Sequence, residues 1–440
     1  MRRATTVKFT QRRDEILNVA SELINVGGAR GVTLSAVAKA LDLDTSSVTY
    51  YFPKRDHLVA ACVERSHGWP YDAAKTASEE PDSRDRVRSL LAAHFARYAR
   101  QRSGALKLAI VSDVHSLDPD LRAPLSARFR EIVGLVRGFF DHGTSASGRL
   151  RAAMSGISLL SVVFWMSAWI DHYLESDFER LQERLLAQLE YAFAATDWAS
   201  DITLLEEAEP QDAQSLFLFA ATNQINLHGY RGASVAGIAA ALGVSIGSFY
   251  HHLENKDDPV LACFPRSFDL IDAAQARASG DGGGYGDRIG RMADMLIVLQ
   301  FRAASPLLRF SAYQALPPDL RQRMLAHTGR VTRHISGLSA DGMSHGEVCA
   351  TDPALGGQTV MALLDGAAEL RGRAAKRPLD EAVAAYSRNL RKEIYEPPRG
   401  TAAMPASTCS SGACLQGAVK FRHVNVPCTC RRATRFVRRQ

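Results

Sequence analysis

Residues 44–56 read DTSSVTYYFPKRD, and residues 245–257 read SIGSFYHHLENKD, 201 positions farther along the same 440-residue chain. Each stretch follows a glycine turn and an Ala-rich segment, GARGVT and AVAKAL in the first copy and GYRGAS and GIAAAL in the second. Ahead of both turns, apolar side chains recur at i, i+4 and i+8, which is the spacing of one helix face. The sequence therefore predicts a unit of three short helices that occurs twice in one chain.

The repeat extends beyond these stretches, because LDPDLR (117–122) recurs as LPPDLR (316–321), at an offset of 199. The repeated unit is thus a whole domain. Leu and Ala are abundant and alternating β-branched runs are scarce, which indicates helix nearly throughout and an all-α fold. Four helices are predicted to form the paired bundles of the two halves: 151–171, 176–195, 354–374 and 379–395.

Charge is divided unevenly along the chain. The formal net charge is +6, but the segment from Arg399 to Gln440 holds eight Lys or Arg and no acid, so the other 398 residues sum to −2. Residues 1–13 carry five basic side chains and no acid, whereas no Lys or Arg lies between Arg184 and Arg231. The N-terminal end can therefore face phosphate, and the acidic middle cannot.

The sequence favours a cytoplasmic protein without a membrane anchor. Its N-terminus is basic and lacks an apolar core, which excludes a secretory signal. The apolar run at 155–170 is only 16 residues long, too short to span a bilayer comfortably, and is predicted to be a buried helix. Cys62, Cys263 and Cys349 stand singly in helical sequence, which is cytoplasmic usage and not a disulfide framework.

Catalytic motifs are missing from the sequence: there is no glycine-rich phosphate loop after a strand, no nucleophile elbow and no His-Glu-x-x-His. We therefore expect neither enzymatic activity nor a cofactor. The tail holds Cys409, Cys414, Cys428 and Cys430, but their spacings differ from the usual two-residue zinc knuckle, so we expect no metal site. The composition of this tail favours a disordered extension that adds non-specific affinity, and its abrupt change also fits an out-of-frame segment.

The three helices predicted in each copy, with a tight turn between the second and third, form a helix-turn-helix whose last helix can enter the major groove. Thr33 and Ser234 are the predicted N-caps of the second helices. The glycine turn, the capped helix, the valine-serine turn, the small polar helix ending in Tyr and His, and the Asn-Lys-acid start of a fourth helix resemble the tetracycline repressor (TetR) family. The second copy, GVSIGSFYHHLENKDD (243–258), resembles it especially.

The resemblance implies DNA contacts in both copies, and the five positive charges of residues 1–13 predict further contacts of this arm with phosphate or the minor groove. In the first copy they are Thr45, Ser46, Ser47, Thr49, Tyr50, Tyr51 and Arg55. In the second copy they are Ser245, Gly247, Ser248, Tyr250, His251, His252 and Lys256. In the arm they are Arg2, Arg3, Lys8, Arg12 and Arg13. Thr49 departs from the family, which usually has tyrosine there, and Asp44 adds negative charge beside the groove-facing end.

The resemblance also implies that each head is followed by a helical domain for ligand binding and dimerisation. The predicted division is an arm (1–13), a first helix-turn-helix (14–60), a first helical domain (61–197), an acidic linker (198–212), a second helix-turn-helix (213–258), a second helical domain (259–397) and a basic tail (398–440). Candidate effector contacts are the aromatic residues Phe95, Tyr98, Phe164, Trp165, Trp169, Phe301, Phe310 and Tyr313. Core packing is the alternative role of each, as it is for single histidines such as His94.

Two functions are compatible with the sequence. The first is a ligand-responsive transcriptional repressor, in which two unlike recognition helices of one chain read an asymmetric or imperfectly palindromic DNA operator. The second is a ligand-binding or partner-binding helical protein whose helix-turn-helix units, the second above all, no longer read DNA. The expected partners are double-stranded DNA and a small-molecule effector of unknown identity. The chain would be a pseudo-dimer, and further dimerisation is left open.

Overall fold

The computed structural model describes residues 2–28, 31–109, 119–190, 212–228, 233–245, 247, 263–302, 307–310, 312, 316, 318–348 and 352–391. All of them belong to one compact unit. Every regular element within these ranges is an α-helix or a 3-10 turn, and none is a strand. The predicted all-α fold is confirmed. The expected linker at 198–212 lies outside the described residues except for Asp212, and the expected tail lies wholly outside them.

The long helices of the two halves follow the same order, apart from the recognition helix of the second half, which lies largely outside the described residues. The first half contains α1 (Arg2–Gly27), α2 (Leu34–Ala40), α3 (Thr45–Tyr51), α4 (Arg55–Ser78), α5 (Ser83–Arg102), α6 (Pro119–Arg137), α7 (Ala146–Trp165) and α8 (Phe178–Glu190). The second contains α9 (Ala213–His228), α10 (Val235–Leu242), α11 (Cys263–Gly280), α12 (Tyr285–Phe301), α13 (Pro318–His345), α14 (Pro353–Ala367), α15 (Arg371–Ala374) and α16 (Leu379–Arg391). Helices α8 and α16 begin and end 201 positions apart, the same offset as the repeated heads.

A side-chain hydroxyl caps the N-terminus of the second helix in each head. The Thr33 hydroxyl accepts a hydrogen bond from the Ala36 amide at 3.0 Å, and the Ser234 hydroxyl accepts one from the Gly237 amide at 3.0 Å. These bonds satisfy amides that have no partner inside a helix, so both predicted N-caps are confirmed. Helix α10 ends at Leu242. The next residue, Gly243, has a φ of +68°, which favours a residue without a β-carbon.

The basic arm is not separate from the first helix, contrary to the division at residues 13 and 14. Helix α1 begins at Arg2, so the backbone of the arm is helical. Two contacts explain this continuation. The Phe9 ring packs on Tyr51 with 4.7 Å between ring centroids, and the Arg12 guanidinium pairs with Glu15 at 2.6 Å, one turn farther along the helix.

The two halves share one hydrophobic core, and within it α7 of the first half packs against α14 of the second. The Trp165 Nε1 atom donates a hydrogen bond to Gln358 Oε1 at 2.9 Å, and the Asn389 amide donates to the Ser158 hydroxyl at 2.7 Å. Helix α7 and the turn after it, Ala146–Ala168, are long and apolar enough to cross a membrane, yet 67% of their most apolar window is buried within the protein. The predicted buried helix is confirmed.

Close backbone approach also joins the halves at Gly366 on α14. A β-carbon built on this glycine would lie 2.8 Å from the Ser161 β-carbon on α7, nearer still to the Ser161 hydroxyl, and 3.2 Å from the Tyr386 hydroxyl. Real β-carbon contacts essentially never fall below 3.0 Å. Only glycine therefore allows the two helices to lie this close.

Candidate DNA interface and effector cavity

The first helix-turn-helix packs around a small core of its own, separate from the core that the two halves share. Ile16 of α1, Val37 of α2 and Val48 of α3 are fully buried there. Val48 is the one residue of α3 that points fully inward. The exposed residues of α3 are Thr45, Ser46, Ser47, Thr49 and Tyr50. A short helix with a polar, exposed face is the element that such a head can place against a DNA groove.

Aromatic rings connect this recognition helix to the start of α1. Tyr50 is 75% exposed, and its ring meets the Tyr51 ring edge-on at 5.2 Å. Phe9 lies 4.7 Å from the Tyr51 ring and 6.2 Å from the Tyr50 ring. The packing of Phe9 and Tyr51 holds the N-terminal turns of α1 beside the recognition helix. The hydroxyl of Tyr50 is thereby presented to solvent on a supported ring.

Basic side chains surround the exposed face of α3, but several are already engaged. Lys8 is exposed, and the Arg13 guanidinium lies 5.5 Å from the centre of the Phe52 ring. Arg55 donates to the Asp56 carboxylate at 2.8 Å from Nε and 2.5 Å from Nη2, and 33% of its side chain stays exposed. A phosphate that binds Arg55 must therefore compete with Asp56. The side chains of Arg2 and Arg3 lie outside the described residues.

The second head is described as far as the start of its recognition helix. Helices α9 and α10 pack Phe217, Ala221 and Ile238 into the core shared by both halves, whereas the first head keeps a separate core. Ser245 and Gly247 are exposed. The remaining predicted contacts of this head lie outside the described residues: Ser248, Tyr250, His251, His252 and Lys256.

Hydrogen bonds tie the first head to the helical domain behind it. The Asn25 side chain at the end of α1 donates to the Leu108 carbonyl at 3.0 Å. On α4, the Ser66 hydroxyl accepts from the Ala109 amide at 3.0 Å. The short segment at 106–109, which follows α5, is therefore bonded to the first helix of the head and to α4. Movement of this segment must move at least one of these helices or break a buried hydrogen bond.

The second half repeats this connection. Asn226 on α9 donates to the Leu307 carbonyl at 2.9 Å, and Ser267 on α11 accepts from the Leu308 amide at 3.0 Å. Asn226 and Ser267 stand 201 positions after their counterparts, and the carbonyl and amide partners stand 199 positions after theirs. Those are the two offsets found in the sequence, so the repeat preserves individual hydrogen bonds as well as helices.

A cavity of about 360 Å³ adjoins the segment at 106–109 in the first half. Helices α4, α5, α6 and α7 supply most of its wall, and residues of the second half complete it. Its apolar lining includes Pro70, Tyr98, Leu108, Phe129, Ile132, Leu160, Phe164 and Phe310. Its polar lining includes Ser66, His67, His94, Arg97, Gln101, Ser161, Arg309, Asp365 and Glu369. The size and the mixture of an apolar wall with a few polar groups are those of a small-molecule site.

Of two histidines in the wall, His94 is buried and His67 is half-buried, and burial favours the neutral form of both. Burial lowers the pKa of His67, and burial followed by the positive charge of Arg97 lowers the pKa of His94 well below its ordinary value. His94 is only 1% exposed, and its Nδ1 atom has no hydrogen-bond partner in the structure. The Nδ1 atom of His67 and Oε1 of Gln101 are buried without a partner as well. Unpaired buried polar atoms are costly, so a ligand that pairs them gains affinity.

Arg97 brings a cation to the same wall. Its guanidinium lies 4.3 Å from the centre of the Tyr98 ring and 5.2 Å from that of Trp69, and its buried Nε atom has no hydrogen-bond partner. None of the carboxylates in the described ranges forms an ion pair with it. The guanidinium is therefore held by aromatic faces and remains able to bind an anion.

The wall from the second half is internally paired. Arg309 forms an ion pair with Glu369. Asp365 accepts a hydrogen bond from the Phe310 amide at 2.7 Å, and burial raises the pKa of its carboxyl group despite this bond and the nearby Arg309. The acidic groups of the cavity are thus engaged with protein donors.

The cavity has a much smaller counterpart in the second half. That space measures about 30 Å³ and lies among residues including Ile271, Leu296, Leu307, Thr328 and Met361. About 10–15 Å³ is needed to admit one water molecule, so this space has room for water but not for an organic ligand. The repeat therefore has an open cavity in its first copy and a filled one in its second.

Comparison with known proteins relates these features to one family. The family profile described as "Bacterial regulatory proteins, tetR family" matches residues 16–62 and again residues 217–263. The two matches are offset by 201 residues and coincide with the two heads. The chain is a tandem TetR-like protein.

Relatives of this TetR-like protein include other regulators. The HTH-type transcriptional regulator BetI of Paraburkholderia phytofirmans is 27% identical over 161 residues, which cover 35% of this chain and 80% of that protein. BetI of Burkholderia ambifaria is 28% identical over 86 residues, which cover 19% of this chain and 44% of that protein. The relatives that this chain resembles are thus transcriptional regulators of the helix-turn-helix type.

Among solved structures, the TetR-family regulator PfmR from Thermus thermophilus has 21% identity and a TM-score of 0.31, covering 39% of this chain and 97% of its own. A TetR regulator from Chloroflexus aurantiacus has 23% identity and a TM-score of 0.32, covering 41% of this chain and 93% of its own.

The aromatic residues predicted as effector contacts divide into two groups in the TetR-like protein. Tyr98, Phe164 and Phe310 line the open cavity. The other described residues, Phe95, Trp165, Trp169 and Phe301, are buried in the core but do not line this cavity, and Tyr313 lies outside the described residues. The ring pairs are Phe95 with Phe178 at 5.4 Å, Trp165 with Phe310 at 4.5 Å, Trp169 with Tyr173 at 5.7 Å and Phe301 with Tyr386 at 5.8 Å.

The polar wall of the cavity was missed by sequence reasoning, which treated His94 as a structural histidine and did not consider its neighbours. A signal was present. His94, Arg97 and Gln101 recur at i, i+3 and i+7, which places them on one face of α5 beside Tyr98. Polar residues on a helix face that otherwise carries buried apolar residues are a more specific sign of a ligand cavity than aromatic residues are.

Proposed function

We propose that this TetR-like protein is a cytoplasmic repressor that leaves its operator when a small effector fills the cavity of the first half. Its single chain does the work of the two subunits of a homodimeric regulator. The observation that supports this proposal most is the cavity at the junction of the two halves, with walls from α4 and from the second half.

Coupling between cavity and head follows from the elements they share. Ser66, His67 and Pro70 of α4 line the cavity, and α4 begins at Arg55, directly after the recognition helix. An effector shifts the protein only if it binds one arrangement of the heads better than another. We expect α4 to move as a lever, so that the effector changes the separation of the recognition helices. An effector that releases the operator while this separation stays constant would contradict the mechanism.

The two heads carry different recognition helices, TSSVTYYF and SIGSFYHHL, in one covalent unit. A homodimer presents identical helices about 34 Å apart and prefers a palindrome. Fusion makes the second contact intramolecular and lets each head have its own half-site. We therefore propose an operator with two unlike half-sites. The first head should contribute more affinity, because it follows a basic segment and the second follows an acidic one.

Footprinting and affinity measurements on operators with mutated half-sites test this proposal. Substitution of Arg55 should weaken binding to all sequences by more than substitution of Lys256, because Arg55 serves the more basic head. Substitutions of Ser248 and Tyr250 should change preference at one half-site only. A perfect palindrome bound best, or equal losses from the two basic substitutions, would show that the heads do not read DNA asymmetrically.

A second candidate is a regulator in which only the first head reads DNA. The acidic approach to the second head favours it, since phosphate attraction supplies most non-specific affinity. The same footprint distinguishes the two cases. Protection of one half-site, with no effect of Tyr250 substitution, would assign the second half to ligand or partner binding.

A further inference from the structure

The charges of the open cavity do not cancel evenly. Arg309 pairs with Glu369, and the partly buried Asp365 carboxylate accepts a hydrogen bond from the Phe310 amide. Arg97, in contrast, lies beside the Tyr98 and Trp69 rings and next to His94, and it pairs with no carboxylate of the described residues. Among the described residues, the cavity thus offers a ligand a cation that no acidic group neutralises.

Further unpaired atoms lie on the same helix face as Arg97. His94 Nδ1 and Gln101 Oε1 are buried without hydrogen-bond partners, and both residues line the cavity. His94 is almost completely enclosed, at 1% exposure. A neutral imidazole can donate one hydrogen bond, and an amide oxygen only accepts. An anionic acceptor therefore suits Arg97 and a protonated His94 Nδ1, whereas Gln101 Oε1 takes its donor from elsewhere, such as a water molecule.

The opposite wall is apolar. The rings of Phe129 and Phe164 stack 6.4 Å apart, and both line the cavity together with Ile132 and Leu160. A space of about 360 Å³ bounded in this way suits a compact apolar body attached to the anionic group.

We propose that the effector is an organic carboxylate with an apolar body, that Arg97 binds its carboxylate, and that each chain takes one molecule. This inference rests on the proposed function, because it concerns the same cavity, but it adds the chemical class and the stoichiometry. The residues of the second half close the site, so the bound effector contacts both halves at once.

The single occupancy follows from the replacements in the second half. The positions that correspond to His94, Arg97 and Tyr98, at the offset of 201, hold Met295, Val298 and Leu299, all apolar and buried. The position of His67 holds Phe268, whose ring stacks on His327 at 3.8 Å. The second copy therefore has an apolar residue in place of Arg97 and lacks the space for a carboxylate ligand, although Arg302 occupies the position of Gln101.

Isothermal titration calorimetry of the full chain tests the proposal with three ligands that share one body: 3-phenylpropionate, its neutral amide and 3-phenylpropylamine. The same three head groups on an eight-carbon chain test a second body. We expect the carboxylates to bind with one site per chain. Arg97→Met should weaken them about tenfold or more, and Arg97→Lys by less, because the lost bond is charge-assisted. Arg100→Met removes an exposed charge from the same helix and should bind the carboxylates like the unaltered chain.

Release of a fluorescent operator is measured in parallel, so the two proposals can fail separately. Carboxylate binding without operator release would overturn the proposed function but keep the anion site. Tighter binding of the amines, two sites per chain, carboxylate affinity unaffected by Arg97→Met, or no binding by any carboxylate would each overturn the inference. Amine binding with operator release would overturn it while supporting the proposed function.

Discussion

At the residue scale, the tyrosines and histidines that suggest function differ in how much of the side chain the fold buries. Tyr50 illustrates the exposed case and His94 the buried one. The ring of Tyr50 stands in solvent beside Tyr51 and Phe9, so its side chain stabilises the head little. The imidazole of His94 lies against the Trp69 ring edge at 4.9 Å and is almost fully enclosed, so its chemistry depends on its surroundings.

Replacement of Tyr50 by alanine should separate DNA affinity from stability. Because the side chain is 75% exposed, we expect the free energy of unfolding to change by no more than about 0.5 kcal/mol. Loss of a hydrogen bond from its hydroxyl to a phosphate should weaken operator binding about tenfold. Leu174→Ala, which removes another exposed side chain far along the chain in the first helical domain, is the matched control for binding. Equal operator affinity in both variants would remove Tyr50 from the interface.

Stability should depend on pH through His94. Because burial lowers the pKa of the folded imidazole, the unfolded chain takes up a proton near pH 6.5 that the folded protein does not. The free energy of unfolding should therefore fall as the pH drops from 7 toward 5. Each unit of separation between the folded and unfolded pKa values corresponds to about 1.4 kcal/mol. His94→Gln should flatten this dependence in urea titrations across that range, and unchanged slopes would mean that the folded histidine can take up the proton.

At the element scale, the sequence predicts the helix order well and the start of the first helix badly. Thr33 and Ser234 precede apolar segments in a pattern that only an N-cap explains, and α8 and α16 follow from strong apolar periodicity. The extent of α1 depends instead on Phe9 meeting Tyr51, a contact between residues far apart in sequence. The five basic side chains of residues 1–13 give no sign of such a contact, so the sequence alone predicts a separate arm.

The paired serines on α4 and α11 allow a test of how the cavity communicates with the head. Ser66→Ala and Ser267→Ala each leave one buried amide, of Ala109 or Leu308, without its acceptor. Both should lower the free energy of unfolding by about 1–3 kcal/mol. Only Ser66 lines the open cavity, so only Ser66→Ala should change the effector concentration that releases half of the operator. Equal shifts in both variants would mean that the two halves respond alike.

At the scale of the whole molecule, composition and repeat predict two similar halves but not the residues through which they meet. The bond between Trp165 and Gln358 joins residues 193 positions apart. The two residues do not occupy equivalent positions of the repeat, so the offset of 201 gives no hint that they meet. Periodicity identifies the apolar faces of α7 and α14, whereas the pairing across them is decided by shape, as at Gly366.

Gly366→Ala should weaken the junction of the halves. The added methyl group would collide with the Ser161 side chain, whose β-carbon is fixed to the backbone of α7 and cannot rotate away, so the helices must separate slightly. Overpacking of this kind costs about 1–3 kcal/mol. Gly372→Ala, where a β-carbon meets nothing within 4 Å, is the matched control and should be neutral or slightly stabilising. Thermal unfolding of both variants decides the matter, and equal melting temperatures would contradict the close approach.

Trp165 and Gly366 occupy the same position of the repeat, one in each half, and they are the largest and the smallest residue that the position could hold. In an assembly of identical subunits, every substitution at the contact occurs in both subunits. The new side chain must then be compatible with the same side chain in the partner. Fusion removes that requirement, because a change in one half occurs once, and a bulky side chain can evolve against a small one. We expect either half alone to form this contact poorly with a copy of itself, because the contact joins two different shapes.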